Sequence, residues 1–396
     1  MELVSSGWHV YGAALVFFLG AIFAIKIGPA FDTSSRRSLA LYLWHTLFCF
    51  VYILYVRNAG GDALTYYDAS LSGMTEFSFG TAAVQLLTGF FSSFLGLSVL
   101  GTFLGYSVFG FVGLLAFDAS LQAATRDRQL WLRNLATLIV LLPSVSFWSS
   151  AIGKDALSFM AAGLALWAAQ RLRPRAGLMV FAVVIMLLVR PHMAALMVMA
   201  LAVAMTLQRN VSIVERLLLG GGALAFAIPI VPLAMRASGL GEEADIADIS
   251  AYIDHRQSFN MEGGGGVDIS SMSLPGKLFT YLFRPLPFEA HNLPALAASI
   301  DNVVLLALSI AGIWAMVRQR SASGETNRAF LWSYVIAALV ILALTTANLG
   351  ISVRQKWMFV PMLIFLLISV MGTPRVAVNA AGSVRPGGRF SKRPLP

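Results

Sequence analysis

Long runs of apolar residues, separated by short polar segments, constrain the fold of this chain more than any other feature. A helix needs about 20 apolar residues to cross the hydrocarbon core of a bilayer. Only 12% of the 396 residues are charged, about half the share found in soluble domains, and the alternating polarity of barrel strands is absent. The sequence therefore predicts an all-α, polytopic integral membrane protein. About eleven transmembrane helices are expected, near residues 8–29, 38–56, 97–117, 134–148, 156–170, 176–190, 193–208, 217–235, 301–317, 329–347 and 357–372.

The distribution of basic residues predicts the orientation of these helices. If the first run crosses from outside to inside, the inner segments hold 19 of the 28 Lys and Arg residues and the outer segments hold 14 of the 19 acids. By the positive-inside rule the N-terminus lies outside and the C-terminus lies in the cytoplasm. The net charge of +9 then reflects topology, and no nucleic-acid partner is expected. The chain is predicted to cross its membrane many times.

Two segments depart from the regular pattern of spans. Residues 81–95 mix apolar and polar side chains over only 15 positions, which favours an interfacial or re-entrant helix. Residues 373–396 are rich in Pro, Gly, Ser and basic residues, which predicts a disordered cytoplasmic tail near anionic lipid. We therefore expect one transmembrane domain over residues 1–372, with a large outer loop at 237–300, followed by this tail.

The first outer loop places two carboxylates on either side of two aromatic residues. Asp62 and Asp68 are six positions apart, with Tyr66 and Tyr67 between them. A carboxylate at the end of a span can act as general base toward a sugar hydroxyl, while tyrosine rings can stack on the sugar, a combination that suits glycosyl transfer. The alternative is an aqueous loop with an aromatic belt.

Two polar apexes connect apolar arms that are too short to reach the membrane surface. Lys154 and Asp155 follow an arm of about 14 residues, and Arg190, Pro191 and His192 divide a run of about 30. Fourteen helical residues span roughly 21 Å, against a hydrocarbon core of about 30 Å. Both apexes should therefore lie below the surface, where ionisable groups normally face a water-filled cavity on a substrate path. The alternatives are a helix cap for Asp155 and a snorkelling side chain for Arg190.

The largest outer segment, residues 237–300, has an acidic first half and an aromatic second half. The first half predicts a short amphipathic helix followed by Arg256, and no glycine-rich nucleotide motif precedes a helix. The second half carries Arg284, Glu289 and His291 among prolines and aromatic residues, as in a lid or an interfacial clamp. Plain interfacial packing is the alternative. A lone Glu-x-His pair is a poor metal motif, so neither a metal nor another cofactor is expected.

Arg354 and Lys356 begin the last apolar run. An arginine presents a planar fork suited to phosphate and a lysine presents a point charge, so the pair is suited to a diphosphate at membrane level. Snorkelling is again the alternative. Because basic residues on the outer side run against the positive-inside bias, their excess indicates an anionic partner. Of the nine basic residues on this side, six are the candidates for binding it: Lys154, Arg190, Arg256, Arg284, Arg354 and Lys356.

Several short segments together resemble a known family. They are GGDALTYYD, FWSSAIGKDAL, VRPH, FRPLPFEAHN and a closing NLG-x3-RQK with a proline a few residues later. In this combination the chain resembles the multi-spanning polymerases of bacterial polysaccharide loci, the O-antigen-polymerase (Wzy) and EpsG-like group. The resemblance implies a GT-C-like membrane fold and an enzyme that joins undecaprenyl-diphosphate-linked oligosaccharide units on the outer face. It also implies other polysaccharide-assembly proteins as partners and no nucleotide-sugar.

The resemblance further implies roles for the outer-face residues. The arginines are expected to bind diphosphate or glycan, and the candidate catalytic residues are Asp62, Asp68 and His291. The candidate substrate-binding residues are Tyr66, Lys154, Asp155, Arg190, His192, Arg256, Arg284, Glu289, Arg354 and Lys356.

Three other functions fit parts of the pattern. A GT-C glycosyltransferase with a polyprenyl-phosphate sugar donor would need the same outer-face groups. A flippase or secondary transporter of lipid-linked oligosaccharide predicts internal repeats and ionisable groups near the midplane, whereas no repeat is seen and the ionisable groups cluster toward one face. A non-catalytic assembly component predicts that neutral replacement of Arg190 or Arg354 leaves activity intact.

Overall fold

The computed structural model describes residues 3–73, 76–207, 221, 255, 257–258, 265–318 and 326–372, and throughout these ranges the fold is helical. Within the described part of the chain, six helices are long and apolar enough to cross a membrane, and a seventh span results if one bent pair is counted. The chain is thus a polytopic α-helical membrane protein, as predicted. The helices are α1 (Gly7–Ile27), α2 (Ser35–Ala59), α3 (Asp62–Leu71), α4 (Thr81–Gly89), α5 (Val99–Thr125), α6 (Leu130–Val140), α7 (Pro143–Ser149), α8 (Lys154–Gln170), α9 (Ala176–Val189), α10 (Pro191–Leu207), α11 (Leu274–Phe283), α12 (Leu293–Arg318), α13 (Arg328–Thr345), α14 (Leu349–Gln355) and α15 (Val360–Ile368).

The expected number of eleven spans is not reached among the described residues, for three reasons. Helices α8, α9 and α10 have only 17, 14 and 17 residues. The last apolar run is divided between α14 and α15, which are bent by 63° relative to each other. The expected span at 217–235, the tail at 373–396 and most of the loop at 237–300 lie outside the described residues.

The centre of the bundle is the contact between α5 and α8. Every residue of α8 from Ala156 to Gln170 is buried, so this helix is enclosed by protein on all sides. Two glycines bring the backbones together, because a Cβ atom at Gly163 would lie 2.5 Å from the Gly113 carbonyl oxygen. Small residues at helix contacts allow such close approach inside membranes.

A proline divides the apolar run between residues 176 and 207. Because proline disfavours helical geometry in the residue before it, α9 ends at Val189, and Pro191 begins α10. The two arms fold back on each other, with Val183 and Leu187 packed against Ala195 and Val198. The interruption expected from the sequence at Arg190 is therefore present.

The α4 segment returns to the face of the bundle from which it starts. Its preceding Gly80 donates a backbone hydrogen bond of 2.8 Å to Leu188, near the end of α9. After α4 and a π-helical turn at Phe90–Phe94, Tyr67 donates a 3.0 Å hydrogen bond to the Leu97 carbonyl. Both ends of the segment thus lie near the face at which α9 ends and α5 begins, and Val84 and Thr88 both contact Tyr106 of α5, so the segment does not cross the bundle. We call this face, at which α2 and α9 end and α5 and α8 begin, the outer face, following the predicted orientation.

The opposite face is held by an ion pair between α2 and α5. Arg37 donates to both carboxylate oxygens of the fully buried Asp118, at 2.7 and 2.6 Å, and to Thr137 of α6 at 3.1 Å. A bidentate arginine–carboxylate pair fixes the relative orientation of both side chains. Three helices are joined at this end by one guanidinium.

The glycine contact between α5 and α8 gives a test of the packing. Replacing Gly163 with Ala should lower the free energy of unfolding by about 1–3 kcal/mol, as overpacking does, because the obstructing Gly113 atoms are backbone. The matched control is Gly177→Ala in the first turn of α9, where no atom lies within 4 Å of the new Cβ. Thermal unfolding in detergent measures both, and equal midpoints would contradict this account of the α5–α8 contact.

The orientation of the bundle is testable by labelling. Ser72, after α3, and Arg173, between α8 and α9, are exposed at opposite faces. A membrane-impermeant maleimide added to intact cells should label Ser72→Cys and spare Arg173→Cys, while permeabilised cells should show both. Native Cys49 is buried and should stay unlabelled. The reverse pattern would place the outer face in the cytoplasm.

Candidate functional site

One buried carboxylate binds two arginines at the outer face. Asp155 accepts from Arg190 Nη2 on Oδ1 at 2.7 Å and from Arg354 Nε on Oδ2 at 3.0 Å. The side chains of Asp155 and Arg190 are 11% and 13% exposed, and that of Arg354 is 32% exposed. Arg190 Nε also donates to Ser158 Oγ at 3.2 Å. We call Asp62, Asp155, Arg190 and Arg354 the charged cluster.

Local backbone structure explains why these charges meet. Gly153 precedes α8 with a φ of 148°, which only glycine adopts readily, and it starts the helix so that Asp155 lies in the first turn. A carboxylate is favoured there by the helix dipole, and a cation is favoured in a last turn, where Arg354 lies in α14. Arg190 occupies the break between α9 and α10.

The second carboxylate of the cluster faces the exterior. Asp62 begins α3, its side chain is 62% exposed, and Oδ2 lies 3.5 Å from Arg354 Nη2. Arg354 therefore bridges one buried and one accessible carboxylate. Because both acids lie on one guanidinium, a group bound by Arg354 would also be within reach of Asp62.

Aromatic rings flank the charged cluster. The Arg354 guanidinium carbon lies 5.3 Å from the centre of the Trp148 ring, a cation–π distance. Tyr66 of α3 packs near Gly153, whose Cβ position would lie 3.5 Å from the tyrosine ring. Burial raises the pKa of Tyr66, and the charges of Asp62 and Asp155 add to this effect. Its hydroxyl thus stays protonated and can donate or accept a hydrogen bond.

Lys154 lies beside the start of the α4 segment. Its Nζ is 3.8 Å from the position a Cβ would take on Gly80, which places the ammonium at the mouth between α8 and α4. His192 is half-buried in the first turn of α10, close in sequence to Arg190. Both residues are next to cluster members along the chain, since Lys154 precedes Asp155 and His192 follows Arg190 by two positions.

Lys356 lies apart from Arg354, although the sequence analysis paired them for diphosphate binding. Its side chain is buried and donates to Asn302 Oδ1, and Asn302 donates to the Pro285 carbonyl at 2.9 Å. Neighbouring Asp301 accepts from the Ser144 amide at 2.8 Å. A 3-10 turn follows α14 at residue 356. The structure thus separates the two cations, one at the outer face and one inside the bundle.

The other residues predicted in the large loop pair among themselves. Arg284 forms an ion pair with Glu289, with Nε 2.8 Å from Oε1, and the Leu286 amide donates to Oε2 at 2.7 Å. The hydrogen bond from Arg284 holds the pKa of Glu289 below its usual value. His291 is exposed just beyond this turn.

Two predicted residues remain separate from the cluster or outside the described chain. Asp68 is exposed on α3, and no ion pair of the described residues includes it. Arg256 lies outside the described residues. The structure thus brings together Asp62, Asp155, Arg190 and Arg354, with Tyr66 beside them.

Sequence reasoning missed Ser158 and Trp148 as members of the site. Both carried a usable signal: Ser158 is three positions after Asp155 and so shares its helix face, and Trp148 lies within the polar apex before α8. Neither residue is charged, so a prediction based on charged groups does not include them.

The fold and the site together define a polytopic α-helical membrane protein with paired arginines at one face. No protein-family model matches the chain, and neither the curated proteins nor the solved structures compared with it include a match. Function is therefore argued from the charged cluster itself.

The two carboxylates of the cluster should differ sharply in their importance for stability. Asp155→Asn removes the shared anion and leaves two neighbouring arginines unpaired. This should lower the free energy of unfolding by about 3–5 kcal/mol. Asp62→Asn removes an exposed contact and should lower the free energy of unfolding by less than about 1 kcal/mol. Thermal unfolding of both purified variants measures the difference. A smaller loss for Asp155→Asn than for Asp62→Asn would contradict the central position of Asp155.

Proposed function

We propose that the protein joins oligosaccharide units carried on polyprenyl diphosphate at the outer face of the bacterial inner membrane. The observation that supports this proposal is the convergence of Arg190 and Arg354 on Asp155. Two guanidinium groups are held side by side at the level of the membrane, on the face where the positive-inside rule disfavours cations. A lipid-linked diphosphate brings two phosphates to that level.

The geometry of the arginines suits a diphosphate. Each guanidinium has five N–H donors in a planar fork, more than one carboxylate can accept. Asp155 fixes the orientation of both forks before a ligand binds, and such preorganisation lowers the cost of binding. When the glycosyl bond breaks, negative charge develops on the diphosphate oxygen that leaves, and the arginines stabilise that charge.

The accessible carboxylate is suited to the acceptor. Asp62 takes the proton from an acceptor hydroxyl, whose oxygen forms the new bond to the anomeric carbon as the bond from that carbon to the diphosphate breaks. Tyr66 and Trp148 offer ring faces and polar edges to the sugars. Because the diphosphate ester already activates the donor, the reaction needs no nucleotide.

A transport function is the second candidate, and two observations favour it. The helix break at Arg190 and the 63° bend between α14 and α15 both lie next to the charged cluster. Broken helices that present charged residues are the sites at which secondary transporters bind substrate. Against this, the cluster lies at one face and not at the midplane.

Complementation of a deletion strain tests the proposal. Arg190→Ala and Arg354→Ala should abolish long-chain glycan at unchanged protein level, because the leaving diphosphate loses its bound cations. Arginine-to-lysine variants should restore it only in part, since a point charge cannot make bidentate contacts. The matched control is Arg57→Ala, which removes an exposed arginine at the end of α2 on the same face.

The lipid-linked material in the deletion strain separates the candidate functions. Single complete units on polyprenyl diphosphate at the outer leaflet support the polymerase. Units that lack one sugar indicate a glycosyltransferase with a polyprenyl-phosphate donor, and complete units confined to the inner leaflet indicate a flippase. Normal chain length in both alanine variants would overturn the role of the arginines.

A further inference from the structure

An apolar cavity of about 1090 Å³ adjoins the charged cluster. Its walls come from α1, α3, α4, α5, α8, α9 and the π-helical turn after α4. Two of its lining residues are chain neighbours of cluster contacts: Val189 precedes Arg190, and Leu157 precedes Ser158, which accepts from Arg190. The cavity therefore lies next to Arg190 along both α8 and α9, although its lining stops one residue short of the charged cluster.

The cavity extends from the outer face into the depth of the bundle. On α9 its lining runs from Val189 back to Phe181, a distance of about 12 Å at 1.5 Å per residue. On α5 it includes Val108 and Val112, which lie well inside the span. The charged cluster at one end and the long apolar space below it together complement a lipid that has a charged headgroup and an apolar chain.

The lining of the cavity is hydrocarbon. Its two hydroxyl-bearing residues, Ser70 and Ser93, use their hydroxyls elsewhere: Ser70 Oγ donates to the Tyr67 carbonyl at 2.6 Å, and Ser93 Oγ donates to the Ser70 carbonyl at 3.1 Å. The lining therefore offers water few hydrogen-bond partners, whereas an apolar chain fills the space without leaving polar groups unsatisfied.

The cavity opens sideways toward the membrane. Phe23 of α1, Phe94 after α4 and Phe181 of α9 line it, and all three side chains are also exposed at the outside of the bundle. A lipid chain can therefore move into the cavity from the bilayer without passing through water. The head of that lipid would stay at the outer face, near Lys154 at the mouth beside Gly80.

We propose that this cavity binds the isoprenoid chain of the lipid whose diphosphate is held by Arg190 and Arg354. The chain enters between α1 and α9, and the sugar beyond the diphosphate is presented to Asp62. The identity of the lipid rests on the proposed function, while the position of the chain rests on the closeness of the cavity lining to Arg190 and Lys154. Two arginines match the two phosphates of a diphosphate better than the single phosphate of a bilayer phospholipid.

Filling the cavity tests the assignment directly. In the purified full-length protein, Val112→Trp and Ala83→Trp should each weaken binding of undecaprenyl diphosphate at least tenfold, because both residues line the cavity. The control is Val180→Trp, an exposed α9 position next to Phe181. Inorganic diphosphate, which lacks the chain, should bind all three variants as it binds the wild type. Wild-type affinity for the lipid in both cavity variants would overturn the proposal.

A crosslinking measurement on the unaltered protein does not depend on the folding of any variant. An undecaprenyl diphosphate analogue with a diazirine in its chain should label peptides that contain Val108–Val112 or Phe181–Val189. Labelling confined to exposed positions of α12, such as Ile310, would overturn the assignment. So would complete displacement of the analogue by an equal concentration of phosphatidylglycerol, which would make bulk phospholipid the occupant.

The two proposals fail in different ways. If the analogue labels the cavity but the Arg190→Ala and Arg354→Ala variants still make long glycan, the lipid site is supported and the transferase function is ruled out. Loss of glycan in those variants, with labelling elsewhere, supports the transferase and removes the cavity as its lipid site.

Discussion

The requirement that a charge inside a membrane must be paired governs the outer half of this structure. Asp155 is nearly buried and lies between Arg190 and Arg354, so neither arginine is stable there without it and it is not stable without them. Through this one carboxylate the head of α8, the break between α9 and α10, and the end of α14 are held together. The positions of the surrounding aromatic rings follow from that junction.

Short helices make the junction possible. Helix α9 has 14 residues and α8 has 17, so both are shorter than the roughly 20 residues that a membrane span requires. Pro191 follows the end of α9, and Gly153 precedes the start of α8. Helix α4 does not cross the bundle, and the cavity lies between it, α5 and α9. A polar site and an apolar space are thus built on neighbouring residues of α8 and α9.

The class of fold could be predicted from the sequence because apolar runs and basic loops follow directly from bilayer physics. The interruption at Arg190 was also readable, and so was the failure of residues 81–95 to reach the length of a span, since proline and run length are local signals. The pairing of Asp155 with Arg354 was not, because the two residues are 199 positions apart. Nor was the inward direction of Lys356, which depends on a 3-10 turn after α14.

The complete enclosure of α8 has a consequence for the order in which the protein is assembled. When α8 is inserted, the helices that cover it later in the chain do not yet exist, and its flanks face lipid. Arg190 follows Asp155 by 35 positions, and Arg354 follows it by 199. The carboxylate thus has a nearby partner soon after synthesis and acquires its second partner only when the last helices arrive. Closure of the outer face is therefore a late event in the biogenesis of this chain.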